Sequence, residues 1–98
     1  NRNSEVAYNL LTADTRGSIE FVLMEIPPQT FTADKEHTHT GEETSYVEYG
    51  DVDIWLNGEK FRLHAGDAIR IPAGTHHRWF NPGDEMVRVI FAVTPPSF

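Results

Sequence analysis

Two imidazoles stand two residues apart at His37 and His39, and a carboxylate follows four residues later at Glu43. Side chains alternate along an extended segment, so both histidines are expected on one face. Two imidazoles and a carboxylate converging on a point form a donor set suited to a first-row divalent cation. The stretch runs His37-Thr38-His39-Thr40-Gly41-Glu42-Glu43-Thr44-Ser45-Tyr46-Val47-Glu48-Tyr49-Gly50. A second stretch, Gly66-Asp67-Ala68-Ile69-Arg70-Ile71-Pro72-Ala73-Gly74-Thr75-His76-His77-Arg78-Trp79-Phe80-Asn81, offers His76 and His77 as candidates for a fourth donor. The chain has no cysteine, so neither a thiolate site nor a disulfide framework is available.

Written as patterns, the stretches read H-x-H-x3-E-x6-G and G-x5-P-x-G-x2-H-x3-N. In this order they resemble the two motifs of the cupin superfamily, with every specified position filled. The resemblance implies metal ligands at His37, His39, Glu43 and His77. Glu42 and His76 compete with their neighbours. The run to Gly50 selects Glu43, and the spacing from Gly74 and to Asn81 selects His77. The implied cofactor is a divalent transition metal, and such a donor set accepts iron, manganese, nickel, copper or zinc according to availability. Three neutral imidazoles and one carboxylate around a divalent ion leave a net charge near +1 and an unfilled octahedral shell. Such a site suits a small ligand with a carboxylate, enolate or hydroxy-ketone group. The ion would serve as a Lewis acid, or support oxygen chemistry if ferrous, and ligand exchange alone is enough for sensing. Histidine must be neutral to coordinate, so occupancy is expected to fall on acidification below about 6.5.

The elements that must position these groups read as short strands. Val6 to Leu11 and Ile19 to Ile26 are strand-like, the second apolar on both faces and ended by Pro27-Pro28. In Asp51 to Leu56, Val52, Ile54 and Leu56 share one face, and Asp51, Asp53 and Trp55 the other, the two aspartates on a solvated face. Asn57-Gly58 predicts a two-residue type I′ hairpin. Phe61 and Leu63 alternate on the returning strand; Ala68 to Ile71, Thr75 to Phe80 and Met86 to Val93 follow, separated by Gly- and Pro-containing turns. Seven or eight short strands without helical periodicity predict an all-β sandwich or barrel. The resemblance makes it the cupin jelly-roll barrel, a double-stranded β-helix.

Alternation run outward from the implied ligands assigns the rest of the pocket. With Glu43 inward, Ser45, Val47 and Tyr49 also face inward; with His77 inward, so do Thr75 and Trp79. Of the polar members, Tyr49 is the best candidate for moving a proton, but no catalytic acid or base is assigned. His64 and His76 read as surface residues, and Asn81 as the holder of a turn. Tyr46 and Trp55 fall on outer faces, where large aromatics mark an interaction surface.

Ninety-eight residues leave room for one domain, and a chain of this size buries roughly two thirds of its unfolded surface. Fifteen acidic against eight basic residues give a formal charge of −7, which disfavours nucleic acid as a direct partner. No apolar run reaches membrane-spanning length and no signal pattern opens the chain, so a soluble acidic domain is expected, and the absence of cysteine favours a cytoplasmic location. The start at Asn1 rather than methionine fits a C-terminal fragment of a longer chain.

The run Gly50 to Phe98, with Trp55-Leu56-Asn57-Gly58-Glu59, His77-Arg78-Trp79, Asn81-Pro82-Gly83-Asp84-Glu85 and Val93-Thr94-Pro95-Pro96-Ser97-Phe98, resembles the C-terminal cupin of bacterial helix-turn-helix (XRE-type) transcriptional regulators. The resemblance implies a metabolite-sensing module with a small-molecule effector. DNA binding would reside in an upstream helix-turn-helix that is not present here. A homodimer is also expected, because a small barrel has strand edges to cover and two-fold regulators match palindromic operators. The alternative is a small stand-alone metal-dependent enzyme, a dioxygenase or isomerase. The balance leans away from an enzyme.

Overall fold

The computed structural model describes residues 5–14, 16–38 and 40–96. His39 lies outside the described residues. The elements are β1 (Ala7–Leu10), β2 (Glu20–Ile26), β3 (Thr30–Phe31), β4 (Glu42–Tyr49), β5 (Val52–Leu56), β6 (Glu59–Leu63), β7 (Ala68–Ile71), β8 (His77–Asn81) and β9 (Val87–Thr94). They form a five-stranded sheet in the order β1-β2-β9-β4-β7 and a four-stranded sheet in the order β3-β8-β5-β6, with every pairing antiparallel. The all-β jelly-roll expectation is borne out. No helix among the described residues is long and apolar enough to cross a membrane.

The two sheets bury their facing sides against each other. Val22, Met24, Ile26, Val47, Val87, Val89, Phe91 and Val93 from the larger sheet meet Val52, Ile54 and Trp79 from the smaller one in one core. These are largely β-branched or aromatic residues at period two, the types that fit a pleated, half-buried surface. In β4 the alternation is clean as far as Glu48: Glu43, Ser45 and Val47 are buried, and Thr44, Tyr46 and Glu48 are exposed.

Alternation then fails at Tyr49, which is 48% exposed rather than inward. The β4–β9 register shifts between Val47 and Tyr49, so an irregularity turns the side chain outward. Its hydroxyl donates to Glu85 Oε1 at 2.8 Å. Gly50 follows with φ +93°, and a Cβ there would lie 2.9 Å from Val87 Cγ2. Both the backbone conformation and the close approach demand glycine at this position. The Asn57-Gly58 hairpin forms as expected, with positive φ at both residues (49° and 85°).

The solvated face assigned to Asp53 is the second correction. Asp53 is 2% exposed, paired with the Arg62 guanidinium opposite it on β6 and 3.7 Å from Lys60 Nζ. Phe80 flanks it on β8, so its neighbours cover a carboxylate that alternation alone assigns to the outer surface. The outer face of this sheet also carries Trp55, half-buried beneath Phe31 (ring centroids 5.6 Å apart) and the Arg78 guanidinium (5.3 Å). The chain itself therefore covers most of this aromatic. Tyr46, on the outer face of the larger sheet, stays 46% exposed.

Candidate metal centre

Glu43 and His77 arrive from opposite sheets. Glu43 lies on β4, facing in because β4 alternates; His77 opens β8, where the pattern buried–half-buried–buried points His77, Trp79 and Asn81 into the core. Both site residues are nearly sealed from solvent, at 3% and 4% exposure, and His77 Nε2 stands 4.0 Å from Glu43 Oε1. The Ser45 hydroxyl donates to Glu43 Oε2 at 2.8 Å. His77 Nδ1 lies 3.2 Å from the Thr75 carbonyl oxygen, which can only accept, so Nδ1 carries the proton. In the neutral ring the lone pair is then on Nε2, the nitrogen nearer the carboxylate. This is the arrangement by which an outer hydrogen bond prepares a histidine to ligate.

His37 joins through the backbone. It forms an isolated antiparallel bridge with His77, with N–H···O distances of 3.1 and 2.9 Å in the two directions. Directly opposed residues project to the same side, and the two imidazoles stand 5.1 Å apart between centroids. His37 is exposed, so it sits at the rim while Glu43 and His77 form the floor.

These groups share a cavity of about 40 Å3 lined by Tyr8, Met24, Thr32, His37, Glu43, His77, Trp79 and Phe91. That volume holds on the order of two or three water-sized species. Thr32 is committed to the scaffold: its Oγ1 accepts the Trp79 N–H at 3.0 Å. A larger groove of about 350 Å3, lined by Asp51, Arg62, Asp84, Glu85 and Met86 among others, contains no histidine and none of the motif donors.

The fit to a divalent cation can be judged on this donor set. Two bonds of about 2.0–2.2 Å span slightly over 4 Å at most, so the Glu43 and His77 atoms lie within reach of one ion. A nearly sealed carboxylate facing an imidazole lone pair calls for a cation or a proton between them. Among the described residues, no three histidines or acidic residues stand close enough to enclose an ion by themselves. The chemistry of the pair fits a metal.

The other expected pocket residues divide. Trp79 lines the cavity. Ser45 orients Glu43, Val47 belongs to the apolar core, and half-buried Thr75 supplies its carbonyl to His77. Tyr49 has no part in the cavity. Asn81 holds a turn, as expected: its Nδ2 donates to the carbonyls of Ile26 (2.8 Å) and Glu85 (2.7 Å), and its Oδ1 accepts from Gly83 N–H. Sequence reasoning missed Tyr8. Its position in the first strand was legible, but nothing in the motifs connects that strand to the cavity. Register does so: Tyr8 pairs with Met24, which also lines the site. Burial first, and the Glu43 charge second, push the Tyr8 phenol above its ordinary value of 10.0.

Comparison with known proteins agrees with this fold. The cupin-domain family profile (Cupin_2) matches residues 22–93. The chain is 41% identical over 61 residues to the polyketide synthase CurC of Streptomyces cyaneus, covering 61% of this chain and 40% of that protein. It is 35% identical over 60 residues to the HTH-type transcriptional regulator PuuR of Escherichia coli (strain K12), covering 61% and 32%. Acireductone dioxygenase of Aquifex aeolicus is 44% identical over 54 residues, covering 51% and 29%. The match therefore spans less than half the length of each of these relatives. Among solved structures, KdgF from a Halomonas species superposes with a TM-score of 0.82 at 22% identity, covering 95% of this chain and 81% of that one. At that identity the likeness concerns the fold alone.

Proposed function

This chain belongs to the cupin family, and we propose that it is a metal-binding module that senses a small anionic metabolite as the effector domain of a helix-turn-helix transcriptional regulator. One observation carries the metal reading: the nearly sealed Glu43 carboxylate faces a His77 whose tautomer presents Nε2 to it across 4.0 Å. His37 at the rim and His39 complete the proposed donor set. A bound divalent ion would supply Lewis acidity and exchangeable positions for a ligand oxygen.

The chain's own residues would do the rest. Ser45 holds the carboxylate, the Thr75 carbonyl holds the imidazole, and Trp79, Met24 and Phe91 exclude bulk water. Cavities for drug-sized ligands usually reach 300 Å3 or more. One of about 40 Å3 instead favours a small acid, or a ligand whose remainder projects from the mouth. The likeness to PuuR supports the regulator reading, with DNA contacted by a module of a longer parent chain. The exposed Tyr46 and Phe21 on the outer face of the larger sheet support pairing of two barrels. The likeness to acireductone dioxygenase supports a second reading, a metal-dependent dioxygenase or isomerase.

The test is elemental analysis of the purified protein beside His39→Ala, followed by oxalate titration and oxygen-electrode measurements after iron loading. About one divalent metal per chain, lost in the variant, and oxalate binding without oxygen uptake are expected. Stoichiometric metal retained by His39→Ala would overturn the ligand assignment. Oxygen uptake with a keto-acid substrate would establish the enzyme reading instead.

A further inference from the structure

We propose that Arg78 is a positioning residue for the metal centre, its guanidinium holding the loop that delivers His37 to the cavity rim. The inference rests on the metal-binding reading above and deepens it, by assigning what sets the place of one proposed ligand.

Between two ties, the segment after β3 is longer than the strand it accompanies. At the first tie the Thr32 N–H donates to the Trp79 carbonyl at 2.9 Å, and the Trp79 N–H donates to Thr32 Oγ1 at 3.0 Å. At the second, His37 and His77 exchange their backbone hydrogen bonds. Between these points β8 contributes one residue, Arg78, whereas the other segment contributes four, residues 33–36. Those four belong to no strand, so no ladder fixes them. Surplus length of this kind has to leave the line of the sheet, and Arg78 meets it there.

The Arg78 Nη1 donates to the Asp34 carbonyl at 2.6 Å and stands 3.4 Å from the Ala33 carbonyl oxygen. Its guanidinium carbon lies 4.1 Å from the Phe31 ring centroid and 5.3 Å from that of Trp55. Phe31 in turn packs on Phe80, with centroids 4.3 Å apart. A planar guanidinium can lie against aromatic faces while its in-plane N–H groups reach carbonyls, a combination that a lysine ammonium does not reproduce. Hydrogen bonds from a charged donor are also roughly twice as strong as neutral ones. Arg78 directly follows His77, so the strand that carries one proposed ligand also grips the loop that carries another. At the far end of the loop, Glu36 Oε2 accepts the Gly58 N–H at 2.8 Å and ties it to the β5–β6 hairpin.

The experiment measures Co2+ affinity, by competition with a chelator of known affinity, in wild type, Arg78→Met, His37→Ala and the double variant. Arg78→Lys takes the place of Arg78→Met should the latter fail to fold. Arg78→Met is expected to weaken Co2+ binding about tenfold, within the range for residues that orient metal ligands. In the His37→Ala background the same substitution should change affinity less than about twofold, because a residue that acts through His37 has nothing left to position. The paramagnetically shifted ring protons of the Co2+ proteins give a second reading, which decides the case if His37→Ala binds too weakly to measure. The His37 signals should move in Arg78→Met by more than those of His77. Unchanged affinity in Arg78→Met, an equal loss in both backgrounds, or equal shifts of the two rings would overturn the proposal and leave the metal reading intact. Undiminished Co2+ binding by His37→Ala would also overturn it, by removing His37 from the metal shell. Failure of the wild type to bind Co2+ would remove the metal reading and this proposal together.

Discussion

His77 and Glu43 face each other across the sandwich, Nε2 to Oε1 at 4.0 Å, each on a different sheet and each nearly closed to solvent. The pair joins the two sheets at the position where the core changes from hydrocarbon to polar donors. Ser45 on the carboxylate and the Thr75 carbonyl on the imidazole help to restrict both side chains before any ligand arrives. Held donors bind a cation more tightly than free ones because less ordering remains to be done.

Ser45→Ala tests that restriction. The hydroxyl does not line the cavity, yet its loss removes a hydrogen bond that holds Glu43. Metal affinity should fall about 10–100-fold with full stoichiometry still reached at saturating metal, as found for outer contacts to metal ligands. Competition against a chelator of known affinity reads the shift. Glu43→Gln should abolish stoichiometric binding in the same assay.

Arg62→Met probes the covered Asp53. Removing one partner of a buried pair costs about 3–5 kcal/mol where both are sealed. Arg62 is half exposed and Lys60 Nζ remains 3.7 Å away, so solvent and the second cation reduce the expected loss to about 2 kcal/mol. Urea unfolding measures it. A loss below about 0.5 kcal/mol would show that the carboxylate is wetter than its 2% exposure indicates.

Gly50→Ala should destabilise by about 2–3 kcal/mol. It places a non-glycine residue at φ +93° and drives a Cβ to 2.9 Å from Val87 Cγ2, inside the core. Gly58→Ala, also at positive φ but with open space around its Cβ, should cost only about 1 kcal/mol. The difference between the two unfolding midpoints isolates the clash from the backbone strain.

Stability at alkaline pH should depend on Tyr8. The folded protein holds this phenolic proton to higher pH than the unfolded chain, because burial and the Glu43 charge both oppose ionisation. The group's contribution is therefore present through neutral pH and declines as pH rises past about 10, where the unfolded chain begins to release its proton. Urea midpoints at pH 8 and pH 10.5 should differ more in the wild type than in Tyr8→Phe. Equal differences would refute the assignment.

Much of the site was legible before any coordinates. The Gly50 and Gly74 punctuation selected Glu43 over Glu42 and His77 over His76, and the structure buries the selected residue of each pair and exposes the other. Period-two reasoning works there because β4 and β8 are regular where those residues lie. It failed at Tyr49, where the register shifts, and at Asp53, where alternation gave the correct face but said nothing of what covers it. Tyr8 escaped because its strand carries no motif.

The residue order by itself determined the donor types, their spacing along each segment, the β character of the chain and the hairpin at Asn57-Gly58. These depend on alternation, backbone permissiveness and side-chain chemistry, all of which act over a few neighbouring residues. Only the tertiary structure decided that Glu43 meets His77, that Asp53 is enclosed, and that Tyr8 reaches the cavity. Each depends on which strands pair and in what register, and pairing reflects burial summed over the whole sandwich rather than any local preference.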